Sequence, residues 1–279
     1  MSKPLNTKQT PNRIVSTDQV PASLVSKNAK IRMNIILLVV LGLYILSSVM
    51  TNSSVLRFNS EFFLNVWNMV VQLFPPNWSY AGVVVDKLLE TIKMALIATT
   101  IAGILCVPFS LLAASNIVQN KYLYNFIKMF LNIMRTIPEL ILAVVFVGLF
   151  GIGVFGGILA LIIFSLGILA KLISETIEAI DMNPLEAIRA SGGNTLQVIW
   201  YAVVPQVLPQ FVSFTLYVFE INVRASVVLG FVGAGGIGLI LQQQLNFLSY
   251  QNVSTIIVIT FVVVVIIDYI SNKLRGRLV

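Results

Sequence analysis

Long apolar runs broken by polar and glycine-rich segments constrain this sequence more than any other feature. Periodicity and breaks place six of them at about 33–50, 90–114, 123–150, 153–175, 205–230 and 253–272. Each is near the roughly 20 residues that an α-helix needs to cross a bilayer. In hydrocarbon a helix satisfies every backbone N–H and C=O within its own segment, which suits runs of this length. The expected fold class is therefore all-α, a polytopic membrane protein of about six transmembrane helices. The composition agrees, because only 10% of residues are charged where a soluble domain carries about a quarter.

Charge placement gives an orientation. Residues 1–32 hold Lys3, Lys8, Arg13, Lys27, Lys30 and Arg32 against Asp18 alone, and the C-terminus adds Lys273, Arg275 and Arg277. These clusters flank apolar runs, the pattern of the positive-inside rule. An even number of spans puts both termini in the cytoplasm together with Lys121 and the 176–204 loop, leaving 51–89 and 231–252 outside. The outer segments carry only Arg57 and Lys87 as basic residues. The net charge of +7 is thus a matter of topology and gives no reason to expect nucleic acid. A cleavable signal peptide does not fit either, since a 32-residue polar tail precedes the first run. The division expected is a basic cytoplasmic tail over 1–32 and one membrane domain over 33–279. In the outer segment, Phe62, Phe63, Trp67, Phe74, Trp78 and Tyr80 surround Pro75-Pro76, which reads as a short interfacial helix and a turn.

Several chemistries are excluded by what the chain lacks. It has no histidine and one cysteine, Cys106, so it forms no internal disulfide, histidine-based triad or Cys/His metal site. No metal or cofactor is expected. The glycine run Gly230, Gly233, Gly235, Gly236 and Gly238 has no Gly-Lys-Ser/Thr ending and follows an apolar helix, so it is not a phosphate loop. These glycines suit close helix packing or a re-entrant turn at an outer gate.

The segment 181–205 is polar and capped between two spans. Asn183 is placed to cap a helix that starts at Pro184, and Glu186 to reach back in a capping box. Gly192-Gly193 ends that helix. Asn194 or Thr195 then caps a second helix running toward Pro205. Glu186, Ala187, Gly192 and Pro205 fall on the pattern E-A-A, three residues, Gly, nine residues, I-x-L-P. Ile188 stands for the second alanine, Ala202 for the isoleucine and Val204 for the leucine, all apolar exchanges.

On these residues, with MRTIPELILAVVFV at 134–147 and FEINVRASVVLGFVGAGGIGLIL at 219–241, the chain resembles permeases of the binding-protein-dependent transport family. It is most similar to the phosphonate ABC transporter permeases, over roughly 85–272. The resemblance implies a type I ABC importer permease in a bacterial cell membrane, without enzymatic activity of its own. It implies two ABC ATPase subunits docked on the 186–205 loop, an extracytoplasmic substrate-binding protein, and a second permease copy, together moving phosphonates or a related phosphorus oxyanion by alternating access. A permease for another small solute, of the methionine or thiamine-precursor type, would carry the same loop. A secondary transporter or channel would need no ATPase.

Two pairs of ionisable residues lie within spans, Arg135 with Glu139 around Pro138, and Glu220 with Arg224. Such groups face a pathway or a partner. Either the arginines line a path for an anion, which guanidinium suits, or each is neutralised by its own glutamate and serves packing. Lys171, Glu175 and Glu178 are expected at the cytoplasmic end of the fourth span, and Asp268 near that of the sixth.

Overall fold

The computed structural model describes residues 27–50, 60–118 and 120–277. Residues 1–26 of the expected basic tail, and Arg57, lie outside these residues. The chain divides into two compact units between Asn65 and Val66. The first carries α1 (Lys27–Met50), so the helix takes in Lys30 and Arg32 rather than beginning at Met33. Its described side chains are exposed, and the window Lys30–Ser47 is apolar enough to cross a membrane. Helix α2 (Ser60–Gln72) runs across the boundary between the units.

The second unit continues through a turn in which the Asn77 side chain accepts from the Ser79 N–H at 3.2 Å. There follow α3 (Ala81–Leu112), α4 (Lys121–Thr136), α5 (Glu139–Phe150), α6 (Val154–Glu178), α7 (Asn183–Ala190), α8 (Thr195–Val198), α9 (Val204–Gly230), α10 (Gly236–Asn246) and α11 (Tyr250–Arg275). No strand occurs among the described residues. Among the described residues, five helical stretches can span a bilayer, and a sixth span results if α4 and α5 count as one.

Three of the expected boundaries change. The second span starts at Ala81 and not near 90, because Lys87 and Glu90 pair on the helix at 2.6 Å and so do not end it. The third span is two helices bent by 84°. Proline forces its predecessor out of the helical region, and Ile137 is extended with φ −82° and ψ 117°. The fifth span does not begin at Pro205. It is continuous from Thr195 through a π-helical turn at Ile199–Val203.

Small residues make the core. Ala98, Ala143, Ala160, Ala225 and Ala234 cluster with Leu161 and Leu229, joining α3, α5, α6 and α9. Between apolar helices in lipid, close backbone approach supplies the packing energy that the hydrophobic effect supplies in water. A Cβ on Gly157 would stand 2.7 Å from the Met94 side chain and 2.9 Å from Ala234, so α6 accepts only glycine there.

The hydrogen bonds sort the loops onto two ends. At one end the Ser115 N–H donates to Glu178 at 3.1 Å, and the Asp181 N–H to Gln206 at 3.1 Å. At the other, the Gly153 N–H donates to the Gly233 carbonyl at 2.8 Å, and the Asn77 N–H to the Gln251 carbonyl at 3.3 Å.

Candidate functional site

The polar loop forms two short helices at one end of the bundle. Helix α7 includes Asn183, contrary to the expected cap. The Asp181 carboxylate accepts from the Asn183 N–H at 3.0 Å, starting the helix one turn residue earlier. Glu186 is thereby moved one position deeper, and its side chain caps nothing. It is exposed, as are Ala187 and Arg189, with Ile188 half-buried. Leu185 points the other way and is fully buried. It anchors the loop in an apolar cluster with Ala114, Ile173, Ile177, Val198 and Ala202.

The helix ends as expected. Gly192 takes φ +84°, the Gly193 N–H donates to the Ile188 carbonyl at 2.9 Å, and the Gly192 N–H to that of Arg189 at 3.0 Å. This is a Schellman closure, which favours glycine at the left-handed position. Asn194 caps α8 in a full capping box with Gln197. The two helices enclose a concave surface lined by Ala187, Ile188, Ser191, Gly193 and Tyr201. Pro205 is the second residue of α9, directly after the π-helical turn at Ile199–Val203.

The same end is fastened to α4. Lys128 donates to both Glu178 oxygens at 3.2 and 3.1 Å, and Glu178 also takes the Ser115 N–H. Lys171 pairs with Glu175 at 3.0 Å. Glu175, Glu178 and Lys171 thus sit together at the loop end of α6.

The two intramembrane pairs part company. Glu220 is bound by Arg224, as the spacing suggests. It also takes a bond from Arg275 of α11 at 2.9 Å, a partner that sequence spacing could not indicate. Asp268 is a further neighbour of Glu220, two turns short of the end of α11. Arg135 and Glu139 form no ion pair among the described residues. Four residues apart places side chains on one face only within a continuous helix, and the bend at Pro138 removes that condition. Arg135 is exposed at the end of α4, whose backbone there lies against Gly167, 3.3 Å from where a Cβ would stand.

A polar node at the bundle centre was not anticipated. Asn222 is fully buried, donating to Thr99 at 2.8 Å and to Ser165 at 2.7 Å, which ties α3, α6 and α9 together. A lone asparagine in an apolar helix is the only signal for it in the sequence.

The glycine run forms a tight turn and a close helix contact. Gly233, Gly235 and Gly236 have φ of +87°, +81° and +69°. A Cβ on Gly230 would stand 2.4 Å from Gly238 Cα. The first N–H groups of α10 are taken by side chains of α3. Gly236 donates to Glu90 at 3.1 Å and Ile237 to Thr91 at 2.8 Å. An apolar setting requires such partners at a helix start.

Comparison with known proteins places this architecture. The family model described as "Binding-protein-dependent transport system inner membrane component" matches residues 106–278. A putative phosphite transport system permease protein, HtxC of Stutzerimonas stutzeri, is 38% identical over 210 residues, covering 75% of this chain and 74% of its own. The phosphate-import permease protein PhnE of Mycolicibacterium smegmatis is 39% identical over 209 residues, again 75% of this chain but 39% of the longer relative. Among solved structures, the fold is similar to a chain of the MetNI methionine ABC transporter, with a TM-score of 0.63 at 24% identity over 70% of this chain and 96% of that one.

Proposed function

Since the chain belongs to the family of binding-protein-dependent transport system inner membrane components, we propose that it is the permease subunit of an ATP-driven importer for phosphorus oxyanions such as phosphonate, phosphite or phosphate. The observation that carries the substrate class is the likeness over three quarters of the chain to permeases named for phosphite and for phosphate import. Several independent features support the permease role. They are the run of spans, the small-residue helix contacts and the exposed, firmly anchored α7.

In this reading α7 is the coupling helix. Glu186, Ala187 and Ile188 face a cleft on an ABC ATPase subunit, while Leu185 holds the helix to the spans. ATP binding and hydrolysis belong to two such subunits. The permease works as a pair of copies, and an extracytoplasmic binding protein delivers the anion to the end that carries α10. The bundle end that carries α7 is cytoplasmic, as are both termini. The basic tail precedes α1, and the permease domain runs from α1 onward. Alternating access follows when the ATPases close and draw the two α7 helices together, rocking the bundles. The glycine turn at 230–238 sits at the outer end, where a gate must be.

The test is uptake of labelled phosphite, alkylphosphonate and phosphate by phosphate-starved cells that carry the wild-type gene, a deletion, or the deletion with Glu186→Arg. Uptake lost in the deletion and not restored by Glu186→Arg, at normal protein level in the membrane, is the expected result. Unchanged uptake of all three anions in the deletion, with no second system present, removes the substrate class.

A further inference from the structure

Along α9, Gln206, Gln210, Ser213, Tyr217, Glu220 and Arg224 recur every three or four residues, which puts them on one helix face. This face belongs to a span, yet it is hydrophilic along its length. Gln210 and Ser213 are half-buried and take no hydrogen-bond partner among the described residues. Tyr217 is 39% exposed. Polar groups of this density do not face lipid, since ionisable and polar residues in spans turn toward water or protein.

The top of the stripe is an arginine held from behind. The Arg224 side chain is 52% exposed, whereas its partner Glu220 is 7% exposed. Only Nη2 of Arg224 is engaged by Glu220, leaving other N–H donors of the planar fork free. The second Glu220 oxygen is occupied by Arg275 at 2.9 Å, and the Arg275 guanidinium lies over the Tyr217 ring at 5.6 Å. Glu220 therefore cannot swing to satisfy the remaining face of Arg224. Its height is set by the neighbouring Asn222, bonded to Ser165 near the middle of α6. An open guanidinium thus stands about half-way through the bundle.

The bottom of the stripe opens into a groove of about 570 Å3 between α6 and α9, lined by Glu175, Thr176, Asp181, Gln206 and Gln210. Its acids are already engaged, Glu175 by Lys171 at 3.0 Å and Asp181 by the Asn183 N–H at 3.0 Å. The groove ends beside the segment that leads into α7.

We propose that this face of α9 lines a water-filled inner half-path for the transported anion, with Arg224 as its anion contact and Glu220 and Arg275 as the residues that position that guanidinium. The proposal rests on the phosphorus-oxyanion reading above. Guanidinium offers paired N–H donors to such oxygens. The uncharged Gln210 and Ser213 below it supply hydrogen bonds without a second strong trap, so the anion can leave.

Cysteine labelling tests the path. The sole native cysteine, Cys106, is fully buried, so Gln210→Cys, Tyr217→Cys and Leu208→Cys can each be read alone in the assembled transporter. Leu208 is 52% exposed but lies on the opposite side of α9 from Gln210. With a negatively charged methanethiosulfonate reagent applied to inside-out vesicles, with and without ATP, Gln210→Cys and Tyr217→Cys should react and Leu208→Cys should not. Neither position reacting in either condition overturns the path. Anion contact is tested by uptake per ATP hydrolysed in proteoliposomes that contain the binding protein and the ATPase. Arg224→Gln should lower the ratio about ten-fold or more, the scale of one charge-assisted hydrogen bond, and Arg224→Lys should lower it less. An unchanged ratio for Arg224→Gln overturns the contact. If Arg224→Gln reduces assembly, Gln210→Leu, away from the ion pairs, should still lower the ratio, and a normal ratio counts against the proposal. Wild-type protein that moves none of the three anions removes the substrate reading instead, while the labelling result still judges the path.

Discussion

Replacing Gly238 by alanine should force α9 and α10 apart. A Cβ at this position would stand 1.9 Å from the Val227 carbonyl oxygen and 2.8 Å from Gly230 Cα, where ordinary contact begins at 3.4 Å. Both obstacles are backbone, so no side chain can rotate away, and the helices must separate by some ~1.5 Å to restore contact with the carbonyl. Over-filling a packed site costs typically 1–3 kcal/mol, and with no soft neighbour the upper end, about 3 kcal/mol, applies. For a chain of this size that corresponds to roughly 6–12 °C in melting temperature. The control is Gly82→Ala in the first turn of α3, where nothing lies within 4 Å and alanine relieves glycine's backbone entropy by up to about 1 kcal/mol. Thermal unfolding of the two variants and wild type in one detergent, followed by tryptophan fluorescence, should show opposite shifts. A Gly238→Ala protein that melts with Gly82→Ala would refute backbone contact between α9 and α10.

Substitutions at three other places probe different parts of the structure. Asn222→Ala removes two interhelical bonds at once, and membrane hydrogen bonds of this kind contribute about 0.6–2 kcal/mol each, so melting should fall by several degrees. A double-mutant cycle with Ser165→Ala should show coupling, and strict additivity would mean that the two side chains are not bonded. Lys128→Gln and Glu178→Gln should couple by about 0.5–1 kcal/mol, because the pair is only partly shielded from solvent. Raising the salt concentration should shrink that coupling. In the α7 turn, Gly192→Ala pays about 1 kcal/mol for its left-handed backbone, whereas alanine at Gly193 carries no such strain but meets Ile188 Cγ2 at 2.5 Å and the Ile188 carbonyl oxygen at 2.8 Å. Gly193→Ala should therefore weaken ATPase co-purification more than Gly192→Ala, and equal effects would count against the closure described here.

Much of the polar loop was legible because its determinants are local. The Gly192 turn and the Asn194 capping box involve residues within a few positions of one another, and their hydrogen-bond patterns follow from residue type and spacing. The start of α7 was misplaced by the same kind of reasoning. Asn183 and Asp181 are both competent cap residues, and only the folded chain shows that Asp181 takes the bond. Pro138 lies inside the third apolar run, and a proline there is a signal for a break. The size of the bend was not legible, and with it went the helical spacing that suggested a pair between Arg135 and Glu139.

By itself, the sequence determined that the chain is an all-α membrane protein, roughly where its spans lie, and which exposed loop faces outward from them. Those properties depend on run length, hydropathy and cap chemistry, all read within a window of one helix. Tertiary structure alone decided the partners of the polar groups inside the bundle. Thr99 and Ser165 stand 123 and 57 residues from Asn222, Glu90 stands 146 from Gly236, and Arg275 stands 55 from Glu220. In an apolar interior each such group must find a donor or acceptor, but which one it finds depends on how the helices pack, and small residues at 157, 230 and 238 settle that packing by letting backbones touch.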